Sequence, residues 1–134
     1  MNVDWVREIC LSFPHATEQI QWGIDLVFKV AGKMFAVTVL EPARVWLSFK
    51  SSPENFAELT ERPDIIPAPY MARAQWVALE TRDALPSGEL ASLLRESYEM
   101  VVAKLPKKTR EGLLLKKSTA RKASSKKSPR RKKA

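Results

Sequence analysis

The stretch "DLVFKVAGKMFAVTVL", Asp25 to Leu40, decides the fold class. β-Branched and aromatic residues dominate two runs, Asp25–Ala31 and Met34–Leu40, and Gly32-Lys33 between them supplies a tight turn. The segment reads as a hairpin whose candidate apolar face is Leu26, Phe28 and Val30, then Phe35, Val37 and Val39. A third strand follows at "ARVWLSFK", Ala43 to Lys50, where Val45, Leu47 and Phe49 alternate with Arg44, Trp46, Ser48 and Lys50. A period of two marks one buried face and one wetter face.

Outward from this centre the chain turns helical. Over Val3–Phe13, Trp5, Val6, Ile9, Cys10 and Phe13 fall on one stripe of 3.6-residue period, and Pro14 ends the helix. On the other side, Ser52 is a good N-cap, Pro53 suits the first helical position and Glu54 complements the helix dipole, so a short helix starts there. A loop punctuated by Pro63, Pro67 and Pro69 leads into a strand near Gln75–Glu80. Ser87 is placed to cap the longest helix, Gly88 to about Leu105, with Leu90, Leu93, Leu94, Tyr98 and Val101 on its core face. Lys104, Lys107 and Lys108 mark its C-terminus with Pro106, and a further helical turn is expected over Thr109–Leu115. The order predicts one α+β domain over residues 1–115, an antiparallel sheet with the N- and C-terminal helices packed on one face.

Charge divides the chain at the same place. The net charge of +8 is the balance of −2 over residues 1–115, with 13 Lys and Arg against 15 acids, and +10 over residues 116–134. The segment "KKSTARKASSKKSPRRKKA" cannot bury enough surface to offset its ordering entropy and is expected to be disordered when unbound. Its cations are Lys116, Lys117, Arg121, Lys122, Lys126, Lys127, Arg130, Arg131, Lys132 and Lys133. They offer phosphate contacts and no means of reading bases. With all of them on a duplex, log affinity would fall against log salt with a slope of about −9. "SPRRKK" also resembles the Ser-Pro-basic elements of chromatin-binding tails.

A second set of nucleic-acid candidates lies on the wetter sheet face, where Arg44, Trp46 and Lys50 share one side of a strand and Lys33 sits at the hairpin turn. An exposed Trp among cations stacks bases and contacts phosphates. The competing reading packs Trp46 beneath a helix or loop, as large aromatics usually are; Trp76, in an apolar strand, reads as core. Catalysis finds little support. His15 is the sole histidine and Cys10 the sole cysteine, so neither a metal-ligand set nor an internal disulfide can be built around them. No nucleophile elbow, phosphate loop or Gly-rich fingerprint occurs. We therefore expect no catalysis, no cofactor and no metal. With no apolar run near the roughly eighteen residues of a membrane helix, no leader pattern and a single thiol, a cytoplasmic monomer away from membranes is expected.

Several motifs occur together: the opening helix ending in "LSFPHATE", the Gly32-Lys33 hairpin, "LSFK", "IIPAPYMARAQWV" and "SYEMVVAKL". In these the sequence closely resembles the MmcQ/YjbR family of small bacterial proteins, from about Met1 to Leu115. The resemblance implies a frataxin-like helix–sheet–helix sandwich and DNA binding through a "double wing" of β-hairpins. It places the family's basic and aromatic pattern at Lys33, Lys50 and Trp76, and leaves the tail outside. A frataxin-like fold also raises iron binding on an acidic ridge, but the first helix offers only Asp4 and Glu8 with Arg7 between them. Two expectations remain. One is a nucleoid-associated, non-catalytic protein of duplex DNA, docking through Lys33, Arg44, Trp46 and Lys50 with the tail supplying sequence-independent affinity. The other is a protein- or small-molecule-binding module whose tail only tethers it to nucleic acid, favoured if the wetter sheet face is neutral or acidic and a deep apolar pocket is present.

Overall fold

The Asn2 side chain accepts the Trp5 backbone N–H at 2.9 Å and so starts helix α1 (Val3–Leu11), which buries Val6 and Cys10. The structure, a computed structural model, describes residues 2–21, 23–69 and 71–112. After α1 come β1 (Ala16–Gln21), β2 (Asp25–Val30), β3 (Lys33–Val39), β4 (Leu47–Lys50) and α2 (Pro53–Leu59). These are followed by β5 (Ile65–Pro67), a 3₁₀ turn (Ala72–Ala74), β6 (Trp76–Leu79) and α3 (Ser87–Ala103). Residues 107–112 are helical as well; the rest of the turn expected over Thr109–Leu115 lies outside the described residues, as does the tail. The six strands are antiparallel throughout, in the order β1-β2-β3-β4-β6-β5. Helices α1 and α3 touch each other and both pack on β3, the expected α+β arrangement with one covered face.

An aromatic cluster holds the two helices to the sheet. The Phe13 and Tyr98 rings lie 5.0 Å apart, and Phe35 stands 5.6 Å from Tyr98 edge-on and 6.4 Å from Phe28. The Tyr98 hydroxyl donates to the Pro14 carbonyl at 2.7 Å, so α3 fixes the turn that leaves α1. Two charged clamps finish the layer. Arg7 of α1 donates twice to Glu18 of β1, at 2.8 and 2.7 Å. Arg62 lies between Glu58 of α2 and Glu89 in the first turn of α3.

Local signals mislead at four places. "ATEQIQ", to which the sequence alone assigns no element, forms β1 because it lies along β2 in register from Ala16↔Val30 to Gln21↔Asp25; its Ile20 is 60% exposed, so pairing and not burial makes the strand. Within the proline loop, β5 pairs only with β6, an edge position where Pro67 has no second partner strand to satisfy. Ser87 is the first residue of α3 and not its cap, which is Pro86, without a side-chain hydrogen bond. The third strand starts at Leu47, later than the Ala43 expected.

Two interruptions of the period-2 pattern correct the assignment of faces. In the β2–β3 pair Phe28 is registered on Ala36 and Lys29 on Met34, so Phe35 is an extra residue, a β-bulge. Phe35 and Ala36 both turn into the main core, and Val37, expected beside Phe35, packs instead on the other side of the sheet with Met34. A similar doubling occurs before β4. The Trp46 N–H donates to the Leu79 carbonyl at 3.0 Å while Leu47 is itself registered on Leu79, and Trp46 and Leu47 both enter the core. Trp46 is therefore no wet-face residue. It is 5% exposed, its indole N–H donates to the Thr81 carbonyl at 2.9 Å, and the Arg82 guanidinium lies 4.8 Å from its ring centroid. Its carbonyl accepts the buried Thr38 hydroxyl at 2.7 Å.

Two outcomes follow for stability. Trp46→Ala should cost about 3–5 kcal/mol in chemical denaturation, whereas Arg44→Ala, 73% exposed at its side chain, should cost within about 0.5 kcal/mol. The Arg7 hydrogen bond holds the Glu18 carboxyl below the usual carboxylate range. Because the folded state favours the carboxylate, the clamp contributes fully above the ordinary carboxylate pKa and is lost as pH falls through the depressed one. Glu18→Gln should thus lower Tm at neutral pH, with the difference from the parent closing in strong acid.

Candidate functional site: a lysine-rimmed cleft at the end of the sheet

Among the described residues, both long helices take one side and the other sheet face carries the stretch between β5 and β6. Ala68, Trp76 and Ala78 form a small cluster there, against which Met34, Val37, Val45, Ile66 and Met71 pack. The segment is fastened by its own backbone: Ala68 N–H donates to the Trp76 carbonyl at 2.9 Å, and Trp76 N–H to that of Met71 at 3.2 Å. Gln75, with a left-handed φ of 60°, turns its carbonyl toward Ser51, whose N–H and hydroxyl donate to it at 3.0 and 2.6 Å. Trp76, 3% exposed, is thereby core as expected, and it lies directly across from Lys50 in the β4–β6 register.

Lys50 is gripped from the helix side too. Ser97, fully buried in α3, donates its hydroxyl to the Lys50 carbonyl, with the Leu93 carbonyl 2.9 Å from the same oxygen. This contact brings the C-terminal end of α3 against the end of the sheet where β3 begins and β4 stops. A cleft of about 300 Å³ results, lined by Lys33, Lys50, Lys104, Met34, Met71 and Trp76, together with apolar residues at the end of α3. No carboxylate lines it among the described residues. Burial first, and then the neighbouring Lys104 charge, hold the Lys50 ammonium below the usual lysine range. Three cations around an apolar floor attract an anion, and none is supplied by the lining.

A second, larger groove of about 610 Å³ shares Met34 and Met71 as walls and continues along the sheet face past Val37, Val45 and Pro69. Its far end is Asp25, whose carboxyl is pushed above its ordinary range by burial.

Of the residues singled out from sequence, Lys33, Lys50 and Trp76 meet in the cleft. Arg44 does not; it pairs with Glu80 at 3.3 Å on another part of the surface. Trp46 is in the core, and the tail cations from Lys116 to Lys133 lie outside the described residues. From the sequence Lys104 reads only as a helix-end cation. The signal that could have found it is the stripe Ser97, Val101, Lys104, at i, i+4 and i+7 on one helix face with a serine among apolar neighbours. Cys10 is buried, and burial raises its thiol well above the reactive range. Among the described residues no group of three or more His, Cys, Asp and Glu could hold a metal ion, and no helix is long and apolar enough to cross a membrane.

Replacing Ser97 by Ala removes a buried donor from the Lys50 carbonyl and should cost about 1–3 kcal/mol. Lys104→Gln should raise the Lys50 pKa toward the ordinary lysine value in an NMR titration of the side-chain amines. An unchanged Lys50 would mean that the two ammonium groups do not sense each other.

Comparison with known proteins agrees with this architecture. The YjbR family model matches residues 11–100. The YjbR proteins of Escherichia coli K12 and O157:H7 are each 27% identical over 118 residues, 85% of this chain and 98% of theirs. The crystal structure of Deinococcus radiodurans protein DR2400, described by the family-model domain DUF419, superposes with a TM-score of 0.76 at 32% identity, covering 84% of this chain and 87% of that one. A Pseudomonas syringae protein shares the fold with a TM-score of 0.62 at 21% identity, over 75% of this chain and 98% of its own. The matched span holds all six strands, Lys33, Lys50 and Trp76, and ends before Lys104. By that match, and by the fold it encloses, the chain belongs to the YjbR family.

Proposed function

We propose that the protein is a non-catalytic DNA-binding protein of the cytoplasm, nucleoid-associated and monomeric. The folded domain docks a backbone phosphate at Lys33, Lys50 and Lys104, and the tail cations from Lys116 to Lys133 add sequence-independent contacts. The observation that carries this reading is the convergence of three lysines from β3, β4 and the end of α3 on a cleft with no lining carboxylate. A domain whose residues 1–115 sum to −2 can still present one positive face, and a phosphate in that cleft would relieve the repulsion between Lys50 and Lys104. Arg44 and Trp46 have no part in it, the first being engaged by Glu80 and the second buried.

The two contributions separate by salt dependence. Each phosphate neutralised on a duplex adds about −0.9 to the log–log salt slope, so the one phosphate docked in the cleft accounts for about −1 and the ten tail cations, on as many phosphates, for up to about −9. Duplex titrations over a salt series should show a chain ending at Leu115 losing most of the affinity and most of the slope. Lys33→Gln, Lys50→Gln and Lys104→Gln together should remove what the shortened chain retains. Equal affinity and slope for full and shortened chains would sink the role of the tail; an unaffected triple variant would sink that of the cleft.

A further inference from the structure

Phosphate binding leaves unexplained the larger groove beside the lysines. Its walls are the side chains of Met34, Val37, Val45 and Met71, apolar surface on the sheet face opposite α1 and α3. Among the described residues charge sits only at its two ends. At one end the groove meets the cleft of Lys33, Lys50 and Lys104 through the shared Met34 and Met71; at the other is Asp25. Asp25 opens β2, whose last residue, Val30, is registered on Lys33, so the two ends lie about 17 Å apart, five steps of about 3.4 Å along the strand. The volumes of about 610 and 300 Å³ lie in the range of small-molecule sites, roughly 300–1,000 Å³. Two methionines at the junction give walls that adapt to an irregular apolar body.

We propose that groove and cleft together form a binding site for a small amphipathic monoanion, its apolar body along Met34, Val37, Val45 and Met71 and its single anionic head among Lys33, Lys50 and Lys104. This inference does not rest on the nucleic-acid reading. Charge complementarity selects the occupant. A neutral apolar molecule leaves the lysine cluster without a counter-charge, and a small inorganic anion leaves the apolar walls wet. A molecule with an anion at each end would place the second one against Asp25. The lowered pKa of Lys50 agrees, since a carboxylate head would restore what burial and Lys104 take from the ammonium.

Sodium decanoate is the probe, titrated calorimetrically into the full chain at concentrations below micelle formation, with acetate, decanol and decanedioate as comparisons. Decanoate should bind with 1:1 stoichiometry, decanol at least about tenfold more weakly for want of one charge-assisted contact, and acetate at least about tenfold more weakly for want of an apolar body. Lys104→Gln, at an exposed position that should not disturb folding, should weaken decanoate about tenfold. Asp25→Asn should narrow the gap between decanedioate and decanoate. The proposal is overturned by no decanoate binding, by acetate binding as well as decanoate, or by decanoate binding that Lys104→Gln leaves unchanged.

Discussion

One extra residue in β3 governs where the rest of the molecule points. Strand side chains alternate strictly, so an inserted residue passes every residue beyond it to the other face. With Phe35 inserted opposite the Phe28–Lys29 step, its ring enters the cluster with Phe13, Phe28 and Tyr98, while Met34 turns to the uncovered side. In an unbroken register Phe35 would lie across from Lys29, and the contact between α3 and the sheet would lose its central ring. The same insertion delivers Met34 to the junction between groove and cleft. Core packing and site geometry are thus two results of one irregularity.

The second organising fact is that both long helices take the same side. Two layers bury one sheet face well, and among the described residues the other carries only a short fastened stretch, where a concave apolar surface can persist. Helix α3 serves both sides. Its leucines and Tyr98 fill the core, Ser97 holds the end of β4 by a carbonyl, and Lys104 rounds the sheet end to join Lys33 and Lys50. A change in the packing of α3 therefore moves the site, although no residue of α3 before Val101 lines the cleft.

Much of this was legible in the sequence, and the failures share a cause. The hairpin, α1, α2, β6 and α3 are written in local periodicity and turn chemistry, and the two-layer arrangement follows from their order. The faces of Val37 and Trp46 were not legible, because a bulge is set by the partner strand and leaves no mark on alternation within one strand. Strands β1 and β5 were missed for a related reason: Gln19 and Gln21 or Pro67 adopt extended backbone because a neighbouring strand is there, not from their own preference. At the site, the family resemblance placed Lys33, Lys50 and Trp76, which do meet. Lys104 escaped because its nearness to them depends on Ser97 reaching a backbone carbonyl 47 residues earlier.

That separation also orders events in time. The pairings from β1 through β4 join consecutive strands, whereas Ser97 reaches Lys50 across 47 residues and Tyr98 reaches Pro14 across 84. Loop-closure entropy favours the near contacts first, so the meander can form before α3 docks. The lysine rim has no existence until that docking is complete. An anion bound as proposed would accordingly report that the chain has finished folding, and would stabilise the last joint to close.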